Sequence, residues 1–311
     1  MQTFLHRFDL AAPLFVLIFA GFALVRWGKW PQAVADALTR FVFVVALPAL
    51  LFHMMSDFSR LPPVDVRLLA AFFGSCLIVF GVGRLVAWKF FRLDGVAQSV
   101  FALGGVFSNN VLLGVPLAKA ALGDAALPAV ALVLVFNALI LWTLVTVSVE
   151  WARHGTLSLH GFARTARGIA GNPIIVAILS GTAWGWSAVP LPTLVEAPLA
   201  MASQAATPLA LIALGMGLAE YRIRAGLPQS LTICALKLLL QPFVVWCLAR
   251  ALSLPPMETQ VAVLLGSIAV GVNVYLMSRK FGTMEGPVAA SMVLSTALSA
   301  LTTPLALTLP V

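Results

Sequence analysis

The sequence predicts an all-α membrane protein whose ten transmembrane helices form a five-plus-five inverted repeat. Of its 311 residues, 61% are hydrophobic and only 10% are charged, where a soluble domain carries roughly 25% charged residues. A mean hydropathy of +1.02 leaves too little polar surface to cover a water-exposed body, so lipid must serve as part of the solvent. Ten apolar runs bounded by charge, Pro or Gly recur along the chain, and about 20 residues are needed to cross a hydrocarbon core of about 30 Å. Short strings in the first half of the chain are echoed in the second at a nearly constant offset.

In chain order the apolar runs cover 10–27, 35–56, 66–88, 97–121, 125–149, 170–187, 197–219, 228–252, 259–279 and 287–309. The first ends in Arg26-Trp27-Gly28-Lys29 without an A-x-A-type site, so it reads as a span, not as a cleaved signal peptide. The expected organisation is a first five-helix repeat over 1–152, a basic connecting loop over 153–168 and a second repeat over 169–311. In span 2, Ala46-Leu47-Pro48-Ala49-Leu50-Leu51 is echoed by Ala206-Thr207-Pro208-Leu209-Ala210-Leu211 of span 7, with the prolines 160 positions apart. The opening of span 4 at Gln98 matches that of span 9 at Gln260, 162 positions apart. An odd number of spans per half inverts one half relative to the other, the arrangement from which alternating access is commonly built.

The net charge of +8 comes from basic residues that stand singly at the ends of apolar runs, which is the signature of positive-inside topology and not of nucleic-acid binding. Thirteen of the nineteen Lys and Arg residues fall on one side: Arg26, Lys29, Arg40, Arg84, Lys89, Arg92, Arg153, Arg164, Arg167, Arg222, Arg224, Arg279 and Lys280. The other side holds Arg7, Arg60, Arg67, Lys119 and Arg250. That bias places both termini on the non-cytoplasmic side of a cell (inner) membrane crossed many times.

No catalytic residue, metal site or cofactor is expected. Cys76, Cys234 and Cys247 lie inside apolar runs without metal-ligand spacing. All eleven carboxylates stand at span ends or in loops, so a buried Asp or Glu proton relay is absent. Neither a phosphate-binding G-x-x-x-x-G-K-[ST] string nor a nucleophile elbow occurs.

The most unusual string is Ser108-Asn109-Asn110-Val111-Leu112-Leu113-Gly114-Val115-Pro116, in the middle of span 4. Two adjacent amides in hydrocarbon are costly without partners, and Gly114 and Pro116 weaken the helical ladder around them. A broken helix accounts for both features and leaves a half-helix N-terminus, favourable to an anion, facing a cavity. A kinked helix whose Asn side chains bond a neighbouring helix is the alternative. Span 9 carries the counterpart, Gly271-Val272-Asn273, within a residue or two of Asn109 and Asn110 under the repeat offset.

Lys237 lies inside span 8, where a charge costs about 2.5–3.5 kcal/mol on insertion scales. It serves an anionic substrate, replaces a coupling cation, or tethers the carbonyls of a broken helix. Asn137, midway through span 5, either joins the site or bonds another helix. His53, near the end of span 2, reads as interfacial packing before it reads as a titrating group.

The span 4 string with Leu117, and the span 9 string continuing through Leu276-Met277-Ser278-Arg279-Lys280-Phe281-Gly282, resemble the auxin efflux carrier family of membrane transporters, which includes plant carriers and bacterial malonate or malate permeases. The resemblance covers the whole chain. It implies that broken helices 4 and 9 cross, and that an organic anion moves by an elevator-type step. Ala269 stands where family members usually have proline, and Asn110 where they have Thr or a similar residue.

These readings together describe a secondary transporter for a small organic anion, a mono- or dicarboxylate. Its substrate site comprises Asn109, Asn110, Gly114, Pro116, Gly271 and Asn273, with Lys237 and Asn137 beside them. The partners are that anion and the lipid bilayer, with no nucleic acid; a homodimer is compatible with the sequence. A passive anion channel or membrane-embedded sensor is the alternative, and nothing in the sequence names the substrate or the coupling ion.

Overall fold

The computed structural model describes residues 2–57, 64–154, 172–187, 189–221 and 226–310. Most of the expected connecting loop, with Arg164 and Arg167, lies outside the described residues, as do Arg60, Arg222 and Arg224. The described chain is helical, with one isolated antiparallel bridge between Ser108 and Val270.

In order, the helices are α1 (Gln2–Arg26), α2 (Gln32–Met55), α3 (Arg67–Phe91), α4 (Gly95–Gly104), α5 (Asn110–Leu122), α6 (Asp124–Arg153), α7 (Pro173–Trp186), α8 (Thr193–Leu218), α9 (Leu227–Ala251), α10 (Pro256–Ser267), α11 (Val272–Phe281) and α12 (Glu285–Ala306). Six of these, α2, α3, α6, α8, α9 and α12, are long and apolar enough to cross a membrane. Ten apolar runs do not give ten long helices, for identifiable reasons. The runs at 97–121 and 259–279 are each split, into α4 with α5 and α10 with α11. That at 170–187 forms the shorter helix Pro173–Trp186, while that at 10–27 lies, but for its last residue, within the 25-residue α1.

Three helices carry a π-turn, at Val42–Ala46, Asn110–Gly114 and Leu236–Leu240, and each is followed two positions later by proline: Pro48, Pro116 and Pro242. Proline lacks an N–H and its ring crowds the carbonyl one turn back. Widening that turn so that residue i bonds i−5 relieves the clash without ending the helix. Accordingly, the N–H groups of Leu47, Val115 and Gln241 donate to Val42, Asn110 and Leu236. Helix α11 ends where Gly282 adopts φ 68°, and the Gly282 and Thr283 N–H groups fold back onto Arg279 and Ser278 at 3.2 and 3.0 Å.

The helices pack as two groups. In one, α8 lies against α1 and α2, and α7 lies against α2. Gly215 and Gly21 let the α1 and α8 backbones approach so closely that a Cβ at either would strike the facing main chain. In the other, α3 packs on α4 and α9, and α9 packs on α10 and α12. Helix α6 touches both groups, through α7 and through α4.

Candidate functional site

The two interrupted runs meet at their interruptions. Helix α4 starts on Asp94, whose carboxylate accepts from the Val96 and Ala97 N–H groups, and stops at Gly104 within a Gly-Gly pair that holds no helical preference. Helix α10 stops at Ser267, and Ile268 is already extended at φ −79°, ψ 168°. The two freed stretches lie side by side as short antiparallel strands. Asn109 N–H donates to Ala269 O at 2.9 Å, and Gly271 N–H donates to Phe107 O at 2.8 Å. Backbone groups lost from the helices thereby find partners where water is scarce.

Glycine at 271 is what permits this contact, since a Cβ there would lie 2.9 Å from Ser108 O and 3.1 Å from Phe107 Cδ1. Side chains hold the ends of the stretch: Ser108 Oγ donates to Leu265 O at 2.6 Å, Thr303 Oγ1 to Ser267 O at 3.0 Å, and Val270 N–H to Ser295 Oγ at 3.0 Å.

Beyond the crossing, α5 and α11 begin. Their first-turn N–H groups have no carbonyl one turn before them, so two partial positive charges face one region. That region is a cavity lined by Asn109, Asn110, Asn137, Gly271 and Asn273, together with Ser108, Asn172, Phe43, Ile174 and others. Asn172 caps α7, its Oδ1 accepting from Ile174 N–H at 2.9 Å, so a third helix N-terminus borders the same space. Among the described residues, none that lines it carries a formal charge.

Five of the eight residues expected from the sequence therefore share one wall. Gly114, Pro116 and Lys237 are absent from the lining. Gly114 packs behind the wall, where a Cβ would sit 3.0 Å from Leu265 Cδ2, and Pro116 is buried in α5. The Lys237 ammonium, with no exposure, donates to Gly266 O at 2.5 Å.

Within the wall, Asn110 is 2% exposed, and neither its Nδ2 nor its Oδ1 has a hydrogen-bond partner; Asn137 is 5% exposed with Oδ1 unpartnered. Native interiors rarely leave such groups unmet, and a ligand that completes them is one physical reason to keep them. Asn172 escaped the sequence reading because it sits past a basic connector. Its signal was the Asn-Pro pair, which marks a helix N-cap followed by proline at N1.

A second, open cavity lies toward the far end of α2, lined by His53, Asp57, Lys119, Asp124 and Gln204 among others. Lys119 and Asp124 pair there at 3.5 Å.

Comparison with known proteins bears on this arrangement as a whole. The family model described as "Membrane transport protein" matches residues 7–307, nearly the entire chain. This chain belongs to the membrane transport protein family. It is 29% identical over 301 residues, 94% of this chain and 92% of the relative, to a protein of Rhizobium meliloti (strain 1021) named "Putative malonate transporter". It is also 27% identical over 161 residues, half of this chain, to auxin efflux carrier component 3 of Arabidopsis thaliana, and 29% identical over 150 residues to auxin efflux carrier component 2 of Oryza sativa subsp. japonica. These matches span 24% and 23% of the plant carriers' own length. Membership of the auxin efflux carrier family is thus established across the chain, and a membrane transport role with it.

Proposed function

We propose that this protein is a secondary transporter that moves a small organic anion, a mono- or dicarboxylate, by alternating access of the elevator type. The observation that carries the reading is the buried Asn110 amide, unpartnered at both Nδ2 and Oδ1, in a cavity faced by three helix N-termini and, among the described residues, no charged side chain. Amide N–H groups and half-helix dipoles hold a carboxylate without a full counter-charge, so the anion binds yet can leave.

In this reading Asn109, Asn110 and Asn273 ligate the substrate, with Asn137 and Asn172 completing the polar wall. Gly114, Pro116 and Gly271 shape the backbone behind it. The anion moves together with the crossing. The cavity supports that motion, because Phe43, Asn172 and Ile174 line it on one side and the crossing lines it on the other. Ten spans in two inverted repeats, with both termini outside the cytoplasm, give the two breaks opposite directions through the bilayer.

Malonate is the first substrate to test, because a relative matching over 92% of its length carries that name. Thermal-shift titration of purified protein with malonate, malate, acetate and indole-3-acetate should reveal stabilisation by at least one carboxylate, lost in Asn110→Ala. No response to any of them would overturn the reading, as would single-channel conductance in place of saturable counterflow.

A further inference from the structure

The crossing has a rear side, remote from the cavity, where α4 and α10 end. Each helix C-terminus presents unpaired carbonyls and about half a negative charge. Left alone, these two ends would cancel much of the positive field that the N-termini of α5 and α11 direct at the cavity. Groups from α9 meet both ends. Gln241 Nε2 donates to Val106 O at 3.1 Å, just beyond α4, and the Lys237 ammonium donates to Gly266 O at 2.5 Å, in the last turn of α10. Both side chains have zero exposure.

The two residues stand four positions apart across the π-turn Leu236–Leu240, the kind of local insertion that recurs at functional sites. The surroundings hold more acceptors than they use. Gln241 Oε1 has no hydrogen-bond partner, and Cys76 Sγ lies 3.4 Å from Gln241 Nε2. The ammonium meets the carbonyl of Gly266 at one helix end, while the side chain carrying the unpaired Oε1 caps the other. A carrier with a metal cation here would depend on that cation to offset the helix ends, and this chain supplies the charge covalently.

We propose that Lys237 is a built-in counter-cation: a positioning residue that neutralises the C-terminal side of the crossing, so that anion binding on the other side needs no bound metal cation. The proposal deepens the carrier reading by assigning its ion requirement, but its first test is independent of the substrate. A carboxylate bound at the cavity is separated from the α10 terminus by the short stretch of backbone from Gly266 to Gly271. Losing the ammonium therefore weakens anion binding and, in the same stroke, leaves the Gly266 carbonyl at the α10 terminus for a small cation from solution to meet.

The full chain and its Lys237→Ala and Lys237→Arg variants are purified and melted in choline chloride, and again with sodium or lithium chloride at matched ionic strength. Wild type and Lys237→Arg should melt alike in all three salts. Lys237→Ala should be weakened in choline and recover saturably with sodium or lithium. Equal insensitivity of Lys237→Ala would overturn the inference, and so would sodium dependence of the wild type. If Lys237→Ala does not fold in any salt, Lys237→Gln takes its place under the same criteria.

Malonate titration then reads the coupling between the two sides. Lys237→Ala in choline should bind roughly tenfold more weakly than wild type, in the range a helix-terminal charge can supply, and should regain part of the loss in sodium. Affinity unchanged by the substitution would contradict the proposal. Absence of any wild-type response to malonate would count against malonate as substrate and leave the cation result standing.

Discussion

Asn110→Leu should make the protein more stable and deaf to its substrate. Leucine keeps the branching and heavy-atom count of asparagine, and its larger methyls can expand into the adjoining cavity, so the swap changes polarity more than packing. In the free protein, Nδ2 and Oδ1 are both buried without partners, and each unmet group costs about 1–3 kcal/mol. Removing the two should raise stability by roughly 2 kcal/mol or more. The same amide, donating to a carboxylate, makes a charge-assisted bond worth about 1.5–3 kcal/mol, so affinity should fall about 10- to 150-fold. The assay is a melting curve of each protein with and without saturating malonate or the best carboxylate from the screen. The expected result is a higher melting temperature for the variant alone and a much smaller shift on adding ligand. A variant that melts lower than wild type, or that keeps the full ligand shift, would refute the reasoning. The first outcome would mean the amide serves the fold, and the second that the ligand binds elsewhere.

Other substitutions test separate parts of the molecule. Gly271→Ala should destabilise by about 1–3 kcal/mol, because the methyl meets Ser108 O at 2.9 Å and must push apart two hydrogen-bonded backbones; an unchanged melting temperature would show that the crossing yields freely. Gly181→Leu, whose Cβ would lie 2.7 Å from Phe52 O, should separate α7 from α2 and lower thermal stability at least as much, with little change in the intrinsic affinity of properly folded protein. In a background lacking Cys76, Cys234 and Cys247, Lys29→Cys should react with an impermeant maleimide only from the cytoplasmic side and Thr308→Cys only from the outside. The opposite pattern would invert the orientation, and labelling of both from one side would break the ten-span count.

The interruptions at Asn109 and Gly271 were legible in the sequence because amides and glycines inside apolar runs weaken a helix that lipid otherwise enforces. The residues that line the cavity from those breaks followed directly. What sequence could not show was which acceptors long side chains would find. Lys237 was a charge in an apolar run with three readings open, and only the folded chain brings its ammonium to Gly266. Similarly, Pro116 marked a weakened helical ladder, but a kink and a π-turn leave the same mark in sequence. Asn172 was missed because its neighbours across the cavity, Asn110 and Gly271, are far away along the chain and adjacent only in the fold.

The most direct test of anion carriage at the crossing is malonate counterflow in proteoliposomes, comparing wild type with the Asn109→Ala, Asn273→Ala double variant at equal insertion. Saturable counterflow by the wild type and its near-complete loss in the double variant is the predicted result. Wild-type counterflow by a correctly inserted double variant would contradict carriage at this site.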